Sequence, residues 1–356
     1  VAEPARWRSP PLREHGGGLD EAARASGLPP GRLCDFSVNV NPYGPSPALL
    51  AAVRAAPLER YPDPTAAPVR RAIAARLGVD PGRVVFGNGA TDLLWTLARV
   101  ALGPGARLLS VEPAFSELRA AAEASGAEVV AWRPPPGAGL AVDLDAVAAA
   151  AGGAALVALC TPTSPAGLAL DPAAVAALAA RLAPALVLLD ESFLPLSDRH
   201  ADLGHPMPER VLRLRSLTKA HAIPGLRAGY LVAPRPLAEA VEATRPAWST
   251  SAPAQAAALA ALDEEAFVAA SRERLRRDRE ALAAGLRALG LAPLPSVAPY
   301  LAFEAPGAAA LRARLLGHGL LVRDCASFGL PGWLRVAARP AAERDRLLAA
   351  LATELR

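Results

Sequence analysis

The sequence predicts an α/β protein in which a large domain, built on a mostly parallel seven-stranded sheet, is joined to a smaller α+β domain. Three observations carry this. Between about residues 80 and 235, short apolar runs alternate with Ala/Leu-rich helical patterns, as a parallel sheet with crossover helices requires. Beyond a long helical stretch the alternation stops, and short strands lead to one closing helix. A length of 356 residues, 52% hydrophobic and 20% charged, suits a globular chain of about two domains.

Residues 1–50 read as an irregular arm and a short helix that pack with the C-terminal part. Residues 51–250 form the large domain, with strands expected at 84–86, 108–111, 128–132, 156–160, 186–189, 211–217 and 229–232. Residues 251–356 form the small domain. Its long helix spans 263–290, where Leu275, Leu282, Leu286 and Leu289 recur near helical spacing and "RERLRR" (272–277) is the wet face. Strands follow at 300–303, 320–323 and 333–337, and a helix at 341–355 closes the chain.

The composition excludes several classes. A net charge of +4 with scattered basic residues gives no nucleic-acid signature. Cys34, Cys160 and Cys325 are too few and too far apart for a disulfide framework, and the five histidines show no metal-ligand spacing with them. The longest uncharged apolar stretch, 146–160, falls short of the ~18 residues a membrane span needs. The N-terminus is charged and Pro-rich, unlike a signal peptide. A reduced, cytoplasmic protein is the expectation.

Lys219 is the only lysine; the other 37 of the 38 Lys and Arg residues are arginine. Arginine serves as well in ion pairs and phosphate contacts, but it cannot lose its proton to attack a carbonyl. One retained lysine is therefore either a chance survivor on a solvated loop or an amine kept for chemistry, and its neighbours decide. Ser216 lies three residues before it and Arg227 eight after. A hydroxyl and a guanidinium at a strand end jointly hold a phosphate. In "FGNGATD" (86–92), Gly87 and Gly89 let the backbone approach a ligand, and Ala90, Thr91 and Asp92 open a helix with free N–H groups. "LVLLDESF" (186–193) is a buried-type strand ending in Asp190, where open α/β sheets bind ligands; read alone, Asp190 is equally a helix cap or a salt-bridge partner. "CTPTSPAG" (160–167) makes a tight loop at the end of another strand.

In order and spacing these stretches resemble the fold-type I pyridoxal-phosphate enzymes, the aspartate aminotransferase superfamily. The resemblance covers essentially the whole chain, and Ser216/Lys219/Arg227 is its most specific motif. It implies the aspartate aminotransferase-like, PLP-dependent transferase fold and pyridoxal 5'-phosphate as cofactor. By that resemblance Lys219 carries the cofactor as a Schiff base, and Asp190 pairs with the pyridinium nitrogen so that the ring acts as an electron sink. Ala90, Thr91, Ser216 and Arg227 hold the cofactor phosphate, Phe115 stacks on the ring, and Asn88 lies near it. Tyr61, in "RYPDP", reaches the cofactor phosphate of a neighbouring subunit, which implies a homodimer. Two positions depart from the pattern. The usual Asn-Pro-Thr-Gly loop reads Ser164-Pro165-Ala166-Gly167, and the Tyr three residues after the Asp is Phe193. Ser164 is left as the donor to the ring hydroxyl, with a shorter reach.

"REHGGGLDEAA" (13–23), "LCDFSVNVNPYGP" (33–45), "SLTKAHAIPGLRAGY" (216–230) and "VRDCASFGLPGWLRVAAR" (322–339) together look like the L-threonine-O-3-phosphate decarboxylase family of cobalamin biosynthesis. Histidinol-phosphate aminotransferase is a near relative that shares "NP-x-G" and "GNG". The resemblance implies decarboxylation of L-threonine O-3-phosphate to 1-aminopropan-2-ol phosphate. The alternative is an aminotransferase of the histidinol-phosphate type or for another amino acid. A non-catalytic, cofactor-binding regulator is a remote third; such proteins carry a DNA-binding domain, and the arm shows no helix-turn-helix pattern. By resemblance Arg335 takes the substrate carboxylate, Arg323 and Arg339 lie on its phosphate side, Gly44 lies beside it, and His15 with its glycines closes the phosphate pocket. Arg335 and Arg339 are expected on one strand and Arg323 on its neighbour, with Asp324 turned to the opposite face. Such a cluster suits a multiply charged anion. Whether the carboxylate or the α-hydrogen leaves depends on which bond the arginines hold perpendicular to the ring.

Overall fold

A strand buried on both faces must be apolar at successive positions, and most runs between residues 84 and 232 meet that demand; in 211–216, Arg213 and Arg215 are instead paired with buried Glu191. A computed structural model describes residues 15–355; residues 1–14, which include the start of the expected arm and Arg13 and Glu14 of its motif, and Arg356 lie outside the described residues. Twelve strands are found among the described residues: β1 (Cys34–Asp35), β2 (Val84–Asn88), β3 (Arg107–Val111), β4 (Glu128–Trp132), β5 (Leu156–Cys160), β6 (Leu186–Asp190), β7 (Val211–Ser216), β8 (Ala228–Val232), β9 (Tyr300–Glu304), β10 (Leu320–Leu321), β11 (Arg323–Asp324) and β12 (Trp333–Ala337).

Seven strands form one sheet in the order β2-β8-β7-β6-β5-β3-β4. β8 alone runs against the others. Successive residues point to opposite faces. Leu156 and Leu188 pack with Leu93 and Leu97 of helix Gly89–Ala101 on one side, while Val157 and Leu189 pack with Val147, Val175 and Leu178 on the other. The topology agrees with the aspartate aminotransferase-like fold that the resemblance implies, with the C-terminal ends of the parallel strands along one edge.

A second sheet has the order β11-β12-β9 and is antiparallel throughout. The N-terminal segment joins this region: β1 pairs in parallel with β10, and Phe36 is buried with Leu286, Phe303, Leu334 and Leu347. Two strand boundaries and the placement of one arginine differ from the sequence reading. The strand expected at 320–323 is two short strands, because Leu320–Leu321 pairs with β1 while Arg323–Asp324 pairs with β12. The strand expected at 211–217 stops at Ser216, whose hydroxyl accepts from the Thr218 N–H and caps the four-residue helix Leu217–Ala220. β12 ends at Ala337, so Arg339 lies beyond the strand that was expected to carry it beside Arg335.

Candidate active site

Lys219 sits on the short helix that follows β7. The N-terminal segment lies across that helix: the Asn41 N–H donates to the Lys219 carbonyl at 3.0 Å and its side-chain amide to the Ala220 carbonyl at 3.0 Å. The ammonium finds no hydrogen bond or ion pair among the described residues; its nearest ring contact is Phe193, 6.0 Å from the centroid. Burial, with Arg227 and Arg335 adding to it and Asp190 opposing, lowers the Lys219 pKa to about 8. Asp190 ends β6 directly beside Cys160 of β5, and its carboxylate accepts from the Ser192 N–H at 2.9 Å. Burial raises its pKa, while the Ser192 hydrogen bonds and Lys219 pull the other way. Asp190 and Phe115 line a common small cavity.

A candidate anion cradle lies at the same sheet edge. Helix Gly89–Ala101 begins at Gly89 (φ +80°), one residue ahead of the Ala90, Thr91 and Asp92 expected to open it, and its first N–H groups have no preceding turn to accept them. A Cβ at Gly89 would stand 2.6 Å from Nη2 of Arg227, and one at Gly229 would stand 2.8 Å from the Ala90 nitrogen. Both glycines are required for this close approach. Ser216 pairs with Gly229 in the sheet and so joins Ala90 and Thr91 at the cradle. The Arg227 guanidinium, on a residue at φ +55°, donates to the Pro224 carbonyl at 3.1 Å and has no acidic partner among the described residues. A guanidinium set against a helix N-terminus, itself paired with no carboxylate among the described residues, calls for an anion. The Asn88 N–H donates to Asp92, which Arg245 also binds, so this pair fastens the turn.

The three-stranded sheet supplies the other half. Arg323 and Arg335 are direct partners across β11 and β12, and Asp324 pairs with Leu334 on the opposite face. Arg335 is buried; it donates to the Ser164 hydroxyl at 3.0 Å and to the Ser37 carbonyl at 2.8 Å, and lies over the Tyr300 ring at 5.4 Å. It has no ion-pair partner among the described residues, its Nε is buried without an acceptor, and burial lowers its pKa. Arg323 donates to the Ser327 hydroxyl at 2.6 Å. Arg339 instead pairs with Glu343 at 2.7 Å. His15 stacks on Phe115 at 5.3 Å and bonds Glu117 at 3.0 Å, and with Gly16, Gly17, Ser37 and Arg323 it lines a cavity of about 270 Å³. Gly44 turns the chain at φ +73° with open space beside it. Tyr61 lies on the surface, 78% exposed, stacked on Trp248 at 4.8 Å.

Three residues escaped the sequence reading. Asn39 is buried with both amide atoms unpaired, between Ser37, which holds Arg335, and Asn41, which holds the lysine helix. Phe328 stands between the two arginines, and Tyr300 donates to the Thr163 carbonyl at 2.9 Å. "VNVNPYG" marked the Asn39 region, but its unpaired amide is a property of the folded chain alone.

The donor set fits pyridoxal phosphate: an unpartnered amine of lowered pKa, a strand-end carboxylate, an aromatic ring and an anion cradle along one sheet edge. That combination defines a fold-type I pyridoxal-phosphate-dependent enzyme. The family model for aminotransferase class I and II matches residues 32–351, and the chain belongs to that family. It is 35% identical over 342 residues to histidinol-phosphate aminotransferase 1 of Dechloromonas aromatica (strain RCB), covering 94% of this chain and 93% of the relative. It is similar to the crystal structure of histidinol-phosphate aminotransferase from Sinorhizobium meliloti in complex with pyridoxal-5'-phosphate (TM-score 0.85, 27% identity, 96% of this chain and 95% of that one). It is also similar to the L-threonine-O-3-phosphate decarboxylase of Porphyromonas gingivalis (TM-score 0.77, 26% identity, 90% and 98%). Among the described residues no group of His, Cys, Asp and Glu could hold a metal, and no helix is long and apolar enough to cross a membrane.

Proposed function

We propose that this enzyme acts on a primary amine carrying a phosphate ester and transaminates it in the manner of histidinol-phosphate aminotransferases. Arg335 carries the substrate class: it is buried, has no carboxylate partner among the described residues and leaves its Nε unpaired, and Arg323 stands directly across the sheet from it, an arrangement that suits a multiply charged anion. The names of the 35%-identical relative and of the structure at TM-score 0.85 support the reaction and favour it over the decarboxylation expected from the sequence motifs.

When bound at Lys219, pyridoxal phosphate supplies an electron sink for the bond broken at the substrate α-carbon. The chain supplies the rest. The Gly89/Arg227 cradle holds the cofactor phosphate, and Asp190 offers a counter-charge at the ring nitrogen. Lys219, with a pKa of about 8, releases and takes back a proton near neutral pH, as a group that moves the α-proton must. Arg335 orients a carboxylate, that of the 2-oxo acid acceptor included. Tyr61 and Trp248, with exposed Leu58, form an apolar surface suited to a second copy of the chain in a homodimer.

Decarboxylation of L-threonine O-3-phosphate is the second activity that a specific observation favours. Arg335 is fixed by Ser164, Ser37 and the Tyr300 ring, and Ser37 is in turn gripped by the arm through the Gly17 N–H at 3.0 Å. An arginine held so rigidly would keep a substrate carboxylate in one orientation, as its selective loss requires. One experiment separates the two. The cofactor-loaded protein is given histidinol phosphate with 2-oxoglutarate and, separately, threonine phosphate. Glutamate in the first vessel is the expected result. CO₂ in the second without glutamate in the first establishes the decarboxylase, and neither product refutes both.

A further inference from the structure

The turn Ala326–Phe328, closed by Gly329, connects β11 to β12. The Phe328 ring lies 5.3 Å from the Arg323 guanidinium carbon and 5.9 Å from that of Arg335. Two like charges on neighbouring strands repel; an aromatic ring in contact with both offsets part of that repulsion through its π face. Ser327 in the same turn holds Arg323. The position of this turn therefore governs where both guanidiniums stand.

The outer side of the turn meets the seven-stranded sheet. Arg133, the residue after edge strand β4, donates from Nη1 to the Phe328 carbonyl at 3.1 Å, and its Nη2 is held by Glu112. Glu112 is buried at the end of β3, its N–H bonded to the Trp132 carbonyl at 2.8 Å, so Arg133 is anchored to the sheet itself. Gly329 makes the approach possible: at φ +78° it favours glycine, and a Cβ there would fall inside the Arg133 guanidinium. The side chain of Arg133 is 43% exposed, and an ion pair so exposed adds little to stability. Removing Arg133 does not strand Glu112, because Arg119 also pairs with it at 3.3 Å.

We propose that Arg133 is a positioning residue for the substrate. By holding the Phe328 carbonyl it fixes the ring between Arg323 and Arg335, and so sets the spacing of the two guanidiniums that receive a doubly anionic substrate. The inference rests on the proposal that these arginines bind the substrate anions, and not on which reaction follows.

The test uses the cofactor-loaded enzyme and reads ligand binding from the absorbance of the bound cofactor. Arg133→Ala and Gly329→Ala are each expected to weaken O-phospho-L-threonine about fivefold, the effect of one positioning hydrogen bond. Inorganic phosphate, which spans a single arginine, keeps its affinity, as does the cofactor. Arg133→Lys behaves like Arg133→Ala, since one ammonium does not reach both Glu112 and the carbonyl. Arg335→Ala is the control and weakens O-phospho-L-threonine at least tenfold. If Arg335→Ala has its effect while Arg133→Ala and Gly329→Ala bind like wild type, the positioning role is refuted and the arginine site stands. If phosphothreonine, inorganic phosphate and cofactor all weaken together, Arg133 is merely structural and the proposal fails. If Arg335→Ala binds like wild type, the arginine site itself is wrong.

Discussion

The proposed cofactor end and the proposed substrate end of this site answer the same problem, holding an anion, with different materials. At Gly89 the donors are backbone N–H groups at a helix start, and two glycines open the space in which Arg227 and β8 close upon them. At Arg335 the donors are side chains, and their partners are a carbonyl, a hydroxyl and two aromatic rings. The first site tolerates almost no change of shape. The second is set by side chains, so its spacing and charge alter one residue at a time. A family with a constant cofactor and varied substrates is well served by that division.

The largest effect that sharpens this contrast is at Lys219. Lys219→Arg keeps the charge but loses the transferable proton, and turnover should fall by at least ~100-fold. Borohydride should fix cofactor to the wild-type peptide holding residue 219 and to no peptide of the variant. The same amine sets a pH dependence. Below its pKa of about 8 it is an ammonium and no nucleophile. Stopped-flow uptake of cofactor by the apoprotein should accelerate roughly tenfold per pH unit up to that point and then level off. Asp190 raises the lysine pKa, so Asp190→Asn should move the break to lower pH; an unmoved break would separate the two groups.

Gly89→Ala comes next. Its Cβ would stand 2.6 Å from the Arg227 guanidinium at a backbone angle alanine avoids, so cofactor affinity should drop at least about tenfold. Unaltered affinity by equilibrium dialysis would remove the cradle. Arg335→Lys should instead leave cofactor affinity alone and raise KM for the anionic substrate about tenfold, because a charge-assisted, forked contact is lost. Arg339→Lys should raise it least, by about twofold, since Glu343 already holds that guanidinium. Equal effects at 335 and 339 would dissolve the distinction between a receptor arginine and a paired one.

The seven strands, the lysine and the strand-end aspartate were legible because each has a local cause: an apolar run, a lone residue type, a carboxylate after a buried strand. The cross-strand placement of Arg323 against Arg335 was also legible, from two short strands and the alternation of side chains. What stayed hidden depends on distant partners. The stretch at 320–323 looks like one strand until β1 takes its first half. That Gly89 itself opens the helix, one residue ahead of Ala90, stayed hidden because a glycine in first position runs against helix propensity and is there for the space it leaves. The unpaired amide of Asn39 and the anchoring of Arg133 by Glu112 have no pattern in the sequence at all.

The lone lysine also gives the chain a single address for a lysine-specific protease, the bond between residues 219 and 220. That bond lies inside a four-residue helix whose last two carbonyls, of Lys219 and Ala220, accept from Asn41. A protease cannot thread such a segment until the helix unwinds and Asn41 lets go. The rate of this one cut, followed on a gel, therefore counts openings of the lysine helix directly, with every arginine-rich surface silent in the measurement.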